Sequence, residues 1–404
     1  MPLQKTQGGT AAESGHKAAV IASFLGWTLD AFDFFIVTFV LTAIGKEFGQ
    51  TDKAMALSIT LTLAFRPIGA IIFGLMADRY GRRIPLMVDL VFYSVVEVAT
   101  GFAHNYTAFI LLRCLFGIGM GGEWGVGASL AMEKAPSHRR GMFSGLLQEG
   151  YACGNLLAAA CFFFVFPRWG WRPMFFIGGL PALLALYVRS HVTESEVWER
   201  NKHASWKEYA GSLSSYWKLF LQLAFLMTMM GFVSHGTQDM YPTFLQRAWH
   251  FDPQTRSVIT MVGNVGAILG GVIFGHYSDK IGRRRAIIIA LLLAIVAIPL
   301  WAFAPSIPLL MIGSFVMQFM VQGAWGVIPA HINELVPNKV RGFLPGFAYQ
   351  FGILIAGAVV YLEPLLAEHM PYPNAMAITA VLVFSGGAFA AYISKENRGM
   401  SFHE

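Results

Sequence analysis

The chain has 404 residues, of which 55% are hydrophobic and only 13% charged, and its formal net charge is +6. So little charge cannot cover the surface of a soluble protein of this length, which excludes a large soluble enzyme and points to a polytopic membrane protein. The short alternating strands of a membrane β-barrel are not found either.

Apolar runs long enough to span a bilayer recur twelve times, at about 18–43, 55–77, 84–102, 106–131, 142–165, 172–190, 216–242, 256–277, 286–303, 308–332, 343–363 and 373–393. The expected fold is all-α, with twelve transmembrane helices. The polar residues through Lys17 lack a cleavable leader pattern, so the first span is expected to serve as the insertion signal. Cys114, Cys153 and Cys161 all fall within spans at spacings unsuited to a disulfide or a metal. Of the 29 lysines and arginines, 21 fall on one side of this topology and 6 on the other, with Arg66 and Arg113 inside the membrane. This bias places both termini in the cytoplasm, and it reads as a topology signal rather than a nucleic-acid surface.

In chain order, the first span carries Asp30 and Asp33, three residues apart on one helix face. A charge at a membrane-helix centre costs about 2.5–3.5 kcal/mol on insertion scales, so such acids suggest proton or cation handling. An ion pair of one of them with Arg113 is an equally open reading. Arg66, in the middle of the second span, is permanently charged and offers a planar fork that fits a carboxylate. It is the first candidate to bind an anion, the alternative being an ion pair with Asp30, Asp33 or Asp239. The fourth span adds Arg113 and Glu123. Its glycines at 117, 119, 121 and 122 lack the strand-turn-helix context of a nucleotide loop and are read as sites of close helix packing. Gln148 lies in the fifth span, and Tyr349 and Gln350 lie in the eleventh. The seventh span ends in Ser234-His235-Gly236-Thr237-Gln238-Asp239, where the histidine, with an ordinary pKa of about 6.5, suits a proton gradient. Allowing one inserted residue, Asp33 and Asp239 are read as acids in corresponding positions of the two halves. No Walker A loop, metal-ligand cluster or pair of catalytic carboxylates in a soluble domain occurs. The expectation is therefore no cofactor, no metal and no enzymatic step, with an ion gradient as the energy source.

The chain also repeats itself. Gly74-x-x-x-Asp78-Arg79-x-Gly81-Arg82-Arg83 recurs 201 residues later as Gly275-x-x-x-Asp279-Lys280-x-Gly282-Arg283-Arg284. The same offset carries Gly122-Glu123-Trp124-Gly125 onto Gly323-Ala324-Trp325-Gly326, and Glu133-x-x-Pro136-x-x-x-Arg140-Gly141 onto Glu334-x-x-Pro337-x-x-x-Arg341-Gly342. Glu123 thus has Ala324 as its counterpart, an asymmetry that favours function over packing. Three motifs in register imply two pseudo-symmetric six-helix bundles, at 1–190 and 216–404, joined by a cytoplasmic linker at 191–215.

With Arg113-x-x-x-Gly117-x-Gly119, these loops resemble the major facilitator superfamily. The resemblance implies rocking of two bundles about a central site, with Asp78, Arg82 and Arg83, and Asp279, Arg283 and Arg284, as charge relays that close one face. Ser234, His235, Thr237, Gln238, Asp239 and Thr243 match a signature of the sialate:proton symporter group, which includes fungal lactate and pyruvate permeases; Gly231 replaces its leading Asn. Tyr349, Gln350 and Gly352 match an eleventh-helix pattern of that group, with Ile353 in place of Asn. By this resemblance His235 and Asp239 bear on proton coupling and substrate affinity, and Arg66 on carboxylate recognition.

The expectation is a monomeric, proton-coupled symporter of small monocarboxylates in a bacterial inner membrane, with sialic acid and aromatic acids as alternative substrates. A proton on Asp239, Asp33 or His235 and an anion on Arg66 would form a neutral load that permits closure. Gln148, Gln238, Tyr349 and Gln350 would complete the substrate site. A transporter-shaped sensor without flux is a further alternative.

Overall fold

The computed structural model describes residues 7–202, 206–238 and 241–402, so Asp239 lies outside the described residues. Every regular element among the described residues is helical. Eleven stretches are long and apolar enough to cross a membrane: His16–Glu47, Ala54–Tyr80, Arg83–Gly101, Tyr106–Lys134, Ser137–Trp169, Arg172–His191, Trp217–Trp249, Gln254–Ile281, Arg283–Ala302, Ile307–Leu335 and Tyr372–Ile393. The predicted eleventh crossing is not one continuous helix. It is split into Leu344–Ala356 and Val359–Ala367, with Gly357 at the break. Two other crossings are also interrupted. The fifth breaks at Glu149, between Arg140–Gln148 and Gly150–Trp169. The sixth breaks between Arg172–Ile177 and Pro181–His191, where Gly178 and Gly179 precede a proline that cannot donate a backbone hydrogen bond.

Helix ends are fixed by local polar groups. At one end of the molecule Thr51, Asn105 and Asp252 accept hydrogen bonds from the first free amides of the second, fourth and eighth spans. At the other end the duplicated loops turn through Gly81 (φ 98°) and Gly282 (φ 102°), a backbone region that glycine adopts without strain. Glutamates from distant segments then cap the helices that follow. Glu194 accepts from the amides of Arg82 and Arg83 at 2.9 and 3.1 Å, and Glu396 from those of Arg283 and Arg284 at 3.1 and 2.9 Å.

The second span packs on the fourth, and the eighth on the tenth, as the repeat requires. Between the halves, the fifth span lies on the eighth and the second on the eleventh. The fourth-span glycines are packing residues. A methyl group on Gly117 or Gly121 would lie 2.2 or 1.9 Å from the carbonyl oxygen of Thr62 or Arg66. Their absence of side chains seats the backbone of Arg66 directly against the fourth span. Large apolar side chains such as Phe163, Val296 and Leu382 point outward, as a lipid-facing surface demands.

Candidate transport site

Arg66 is only 4% exposed, and its guanidinium lies over the ring of Tyr349 at 5.7 Å, which joins the second span to the eleventh. Its Nε and Nη2 atoms, the two that form one edge of the fork, find no hydrogen-bond partner among the described residues. A cage of aromatic rings surrounds the same tyrosine. Trp124 stacks on it at 4.3 Å, while Trp325 and Trp27 meet it edge-on at 5.8 and 6.5 Å. Trp124 donates through Nε1 to Gln148 Oε1 at 3.3 Å, and Gln350 donates to the Gly121 carbonyl at 3.3 Å. Arg66, Gln148, Tyr349 and Gln350 therefore converge, as their placement in the sequence suggests. Gln148 and Tyr349 are also counterparts under the 201-residue offset, as are Trp124 and Trp325. In the sequence none of the three tryptophans is marked as a site residue; the repeat that pairs Trp124 with Trp325 is the signal that could have promoted those two.

The acids form a second cluster, deep in the first half. Asp30, Asp33, Asp89, Glu97 and Glu123 are each fully buried, on the first, third and fourth spans. Among the described residues, neither oxygen of Asp30, Asp33, Asp89 or Glu123 has a hydrogen-bond partner. Asp30 lies within electrostatic reach of Arg66 and Glu97, and Glu123 within reach of Asp30. Glu123 is pressed against Gly26, where a methyl group would lie 2.3 Å from its Oε1, and Asp33 similarly faces Gly178. Arg113 pairs with neither acid of the first span. It binds Glu97 at 2.9 Å and Thr100 at 2.7 Å, with Phe116 and Phe175 against its guanidinium at 4.8 and 5.4 Å. The cluster has no counterpart in the second half. The offset sets Ala267 opposite Arg66, Ala290 opposite Asp89, Ile298 opposite Glu97, Ser314 opposite Arg113 and Ala324 opposite Glu123. It also sets Ser234, not Asp239, opposite Asp33.

The seventh-span signature occupies a separate place. Gln238 accepts from Ser234 at 2.9 Å and donates to Gln318 Oε1 at 2.8 Å, tying the seventh span to the tenth. His235 is half-buried on the same helix. Gln318 is a polar member of this group that sequence reasoning missed.

At the end bearing the duplicated loops, the two halves are bolted together with near two-fold symmetry. Asp78 accepts from the amides of Gly342 and Phe343 at 2.7 and 3.1 Å, and Asp279 from those of Gly141 and Met142 at 2.8 and 3.0 Å. Each aspartate thereby caps a helix of the opposite half, where the helix dipole favours negative charge. Arg82 holds Asp78 and Glu133, both at 2.9 Å, and Arg283 holds Asp279 at 2.7 Å and Glu334 at 3.0 Å. Bridges also cross the seam, from Arg140 to Glu334 at 3.0 Å and from Arg341 to Glu133 at 3.8 Å. Burial disfavours charge on Arg82, but Glu133 and Asp78 outweigh that and hold its pKa above the ordinary value. Burial brings Arg341 down to about 10, with Glu133 opposing, so it stays charged at neutral pH. Arg83 and Arg284 stand outside these relays: Arg83 donates to the Arg189 carbonyl, and Arg284 to the Ser394 carbonyl at 3.3 Å. Glu133, Glu334, Arg140 and Arg341 take their place, and they are the invariant positions of the third repeated motif. One device has no counterpart in the other half. Tyr209, on the helix Trp206–Ser215 between the halves, donates to Asp78 Oδ2 at 2.9 Å, and Trp198 donates to the Asp78 carbonyl at 2.8 Å.

Residues 23–238 and 223–402 match the Major Facilitator Superfamily, which accounts for both halves of the repeat. The chain belongs to that superfamily. This facilitator is thus an integral membrane transporter and not an enzyme. It is 30% identical over 342 residues to the sialic acid transporter NanX of Escherichia coli strain K12, covering 83% of this chain and 84% of that one. It is 29% identical over 375 residues to a carboxylic acid transporter protein homolog of Saccharomyces cerevisiae, covering 86% of this chain but 61% of the yeast protein. Among solved structures, the proton:xylose symporter XylE superposes with a TM-score of 0.78 at 19% identity, covering 97% of this chain and 98% of that one. That likeness establishes the fold.

Proposed function

We propose that this facilitator is a proton-coupled symporter of small monocarboxylates such as lactate or pyruvate, working as a monomer by alternating access. The observation that carries the reading is the Nε–Nη2 edge of buried Arg66, which has no partner among the described residues and can donate to both oxygens of a carboxylate. The relatives named for carboxylic and sialic acids support an organic anion as substrate. Among the described residues, the five carboxyl groups of the acid cluster outnumber the buried arginines that act on them, Arg66 and Arg113. Full ionisation there would leave charge uncompensated in a medium that penalises it, which favours a cluster that carries protons. Asp30 is the acid best placed to couple the two events: its proton removes a negative charge that competes with substrate for Arg66. Asp33, Asp239 and His235 are alternative carriers. The aromatic rings around Tyr349 favour a second reading, in which the carboxylate belongs to an aromatic acid.

The units 1–190 and 216–404 would move against each other about the linker 191–215, in a bacterial inner membrane with both termini inside. The loop-motif end then faces the cytoplasm, and its bolts hold the carrier closed on that side. Tyr209→Phe removes one hydrogen bond to a buried carboxylate, about 1.5–3 kcal/mol, from the closed state only. The expected result is a larger inward-open population, read as faster labelling of a Ser144→Cys variant from the cytoplasmic side. An unchanged labelling rate would remove Tyr209 from the closure.

Uptake of labelled lactate and of labelled sialic acid into proteoliposomes, with and without an inward proton gradient, tests the whole reading. Lactate uptake that rises with the gradient is the expected outcome. Uptake of sialic acid alone would reassign the substrate, and uptake of neither would refute both.

A further inference from the structure

After the twelfth span, the chain turns back beneath the loop-motif end. Glu396 caps the ninth span as described, Asn397 donates to the Glu334 carbonyl at 2.9 Å, and Arg398 donates to the Lys280 carbonyl. These hydrogen bonds all lie within the second half. The segment then crosses the seam. The Met400 carbonyl accepts from Arg140 Nη1 at 3.0 Å, and Phe402, 1% exposed, presents its carbonyl to Asn338 Nδ2 at 2.9 Å. The Phe402 ring lies 3.7 Å from the guanidinium carbon of Arg140 and 3.7 Å from that of Arg341. Two guanidinium groups cannot occupy one ring face at that distance, so the ring is sandwiched between them.

Arg140 and Arg341 are counterparts under the repeat, one from each half, and each reaches across to a glutamate of the other. Bringing two buried cations together is unfavourable, and an aromatic ring between them presents a negative face to each. We propose that Phe402 is a positioning residue of the transport cycle: a two-sided cation–π wedge that stabilises closure of the loop-motif end and must leave the seam when the halves part. Because its two cations sit on opposite halves, separation removes at least one face of the sandwich. Phe402 therefore stabilises the closed state and not the open one, the condition for shifting a conformational equilibrium. Among the described residues the first half has no such wedge; there Trp198 and Tyr209 of the linking segment fasten Asp78 instead.

This inference rests on the alternating-access reading, and one experiment separates the two. Spin labels are placed at His138→Cys and Arg285→Cys, both exposed and on opposite halves, in the full chain with Cys114, Cys153 and Cys161 replaced by serine. Distances are measured by pulsed electron resonance in nanodiscs, with and without lactate and at two pH values. A wild-type distance that never changes would refute alternating access itself. Given a wild type that switches, Phe402→Ala and Phe402→Leu should both raise the long-distance population about tenfold relative to the short one, the scale of a desolvated cation–π contact. Phe402→Tyr, which keeps the π face, should restore the wild-type ratio. A wild-type ratio in the alanine variant would overturn the wedge, and so would one in the leucine variant, since leucine fills the gap without a π face.

Discussion

Replacing Arg66 by lysine should weaken carboxylate binding by roughly 10- to 150-fold, the equivalent of losing about 1.5–3 kcal/mol of charge-assisted hydrogen bonding. Lysine keeps the charge but not the edge of two parallel donors, so the loss isolates the bidentate geometry from simple electrostatics. The fold should survive, because Nε and Nη2 of Arg66 support no other described residue. What remains against Tyr349 is the alkyl stem and an ammonium group in place of the guanidinium. The concentration dependence of lactate counterflow in proteoliposomes reads the effect directly. Wild-type affinity in the lysine variant would place the anion elsewhere, with the seventh-span group of Ser234, Gln238 and Gln318 as the next candidate.

Asp30→Asn should abolish accumulation against a gradient while sparing exchange. A pH difference of one unit stores about 1.4 kcal/mol per proton and sustains about tenfold accumulation of a coupled solute. With asparagine at position 30, the acid nearest in effect to Arg66 no longer cycles between charged and neutral forms. Binding should persist and lose most of its dependence on pH, and the steady-state ratio of lactate inside to outside should fall to one. Undiminished accumulation in this variant would move the proton to Asp33, Glu123, His235 or Asp239. The Asp33→Asn and Glu123→Gln variants would then be compared in the same assay.

The parts of the fold legible in the sequence are those in which a single physical requirement dominates. Apolar runs must be helices in lipid, and a turn through φ near 100° favours glycine, so the crossings and the loops around Gly81 and Gly282 could be read directly. Arg66 was legible for a similar reason: a mid-span guanidinium has few roles. The tryptophan cage was not, because Trp27, Trp124 and Trp325 look the same in sequence as the aromatic residues that pack every membrane helix. The partner of Arg113 was not legible: a pair with an acid of the first span was one open reading, whereas the third span brings Glu97 against it, a contact that depends on helix rotation. The closure relays were half legible. Asp78 and Arg82 announce themselves in a loop motif that recurs in the second half, whereas Glu133 reaches Arg82 only through packing within the first half, and Arg341 reaches Glu133 only across the seam. The split of the eleventh crossing at Gly357 was hidden because a glycine within an apolar run is tolerated more often than it breaks a membrane helix.

The central claim is that a carboxylate on Arg66 and a proton in the first-half acid cluster move together. It is tested most directly by following external pH with an impermeant dye while lactate enters proteoliposomes clamped at zero membrane potential. The account predicts alkalinisation outside that begins with lactate addition in the wild type and is absent in Asp30→Asn. Lactate entry with no accompanying proton movement in the wild type would contradict it.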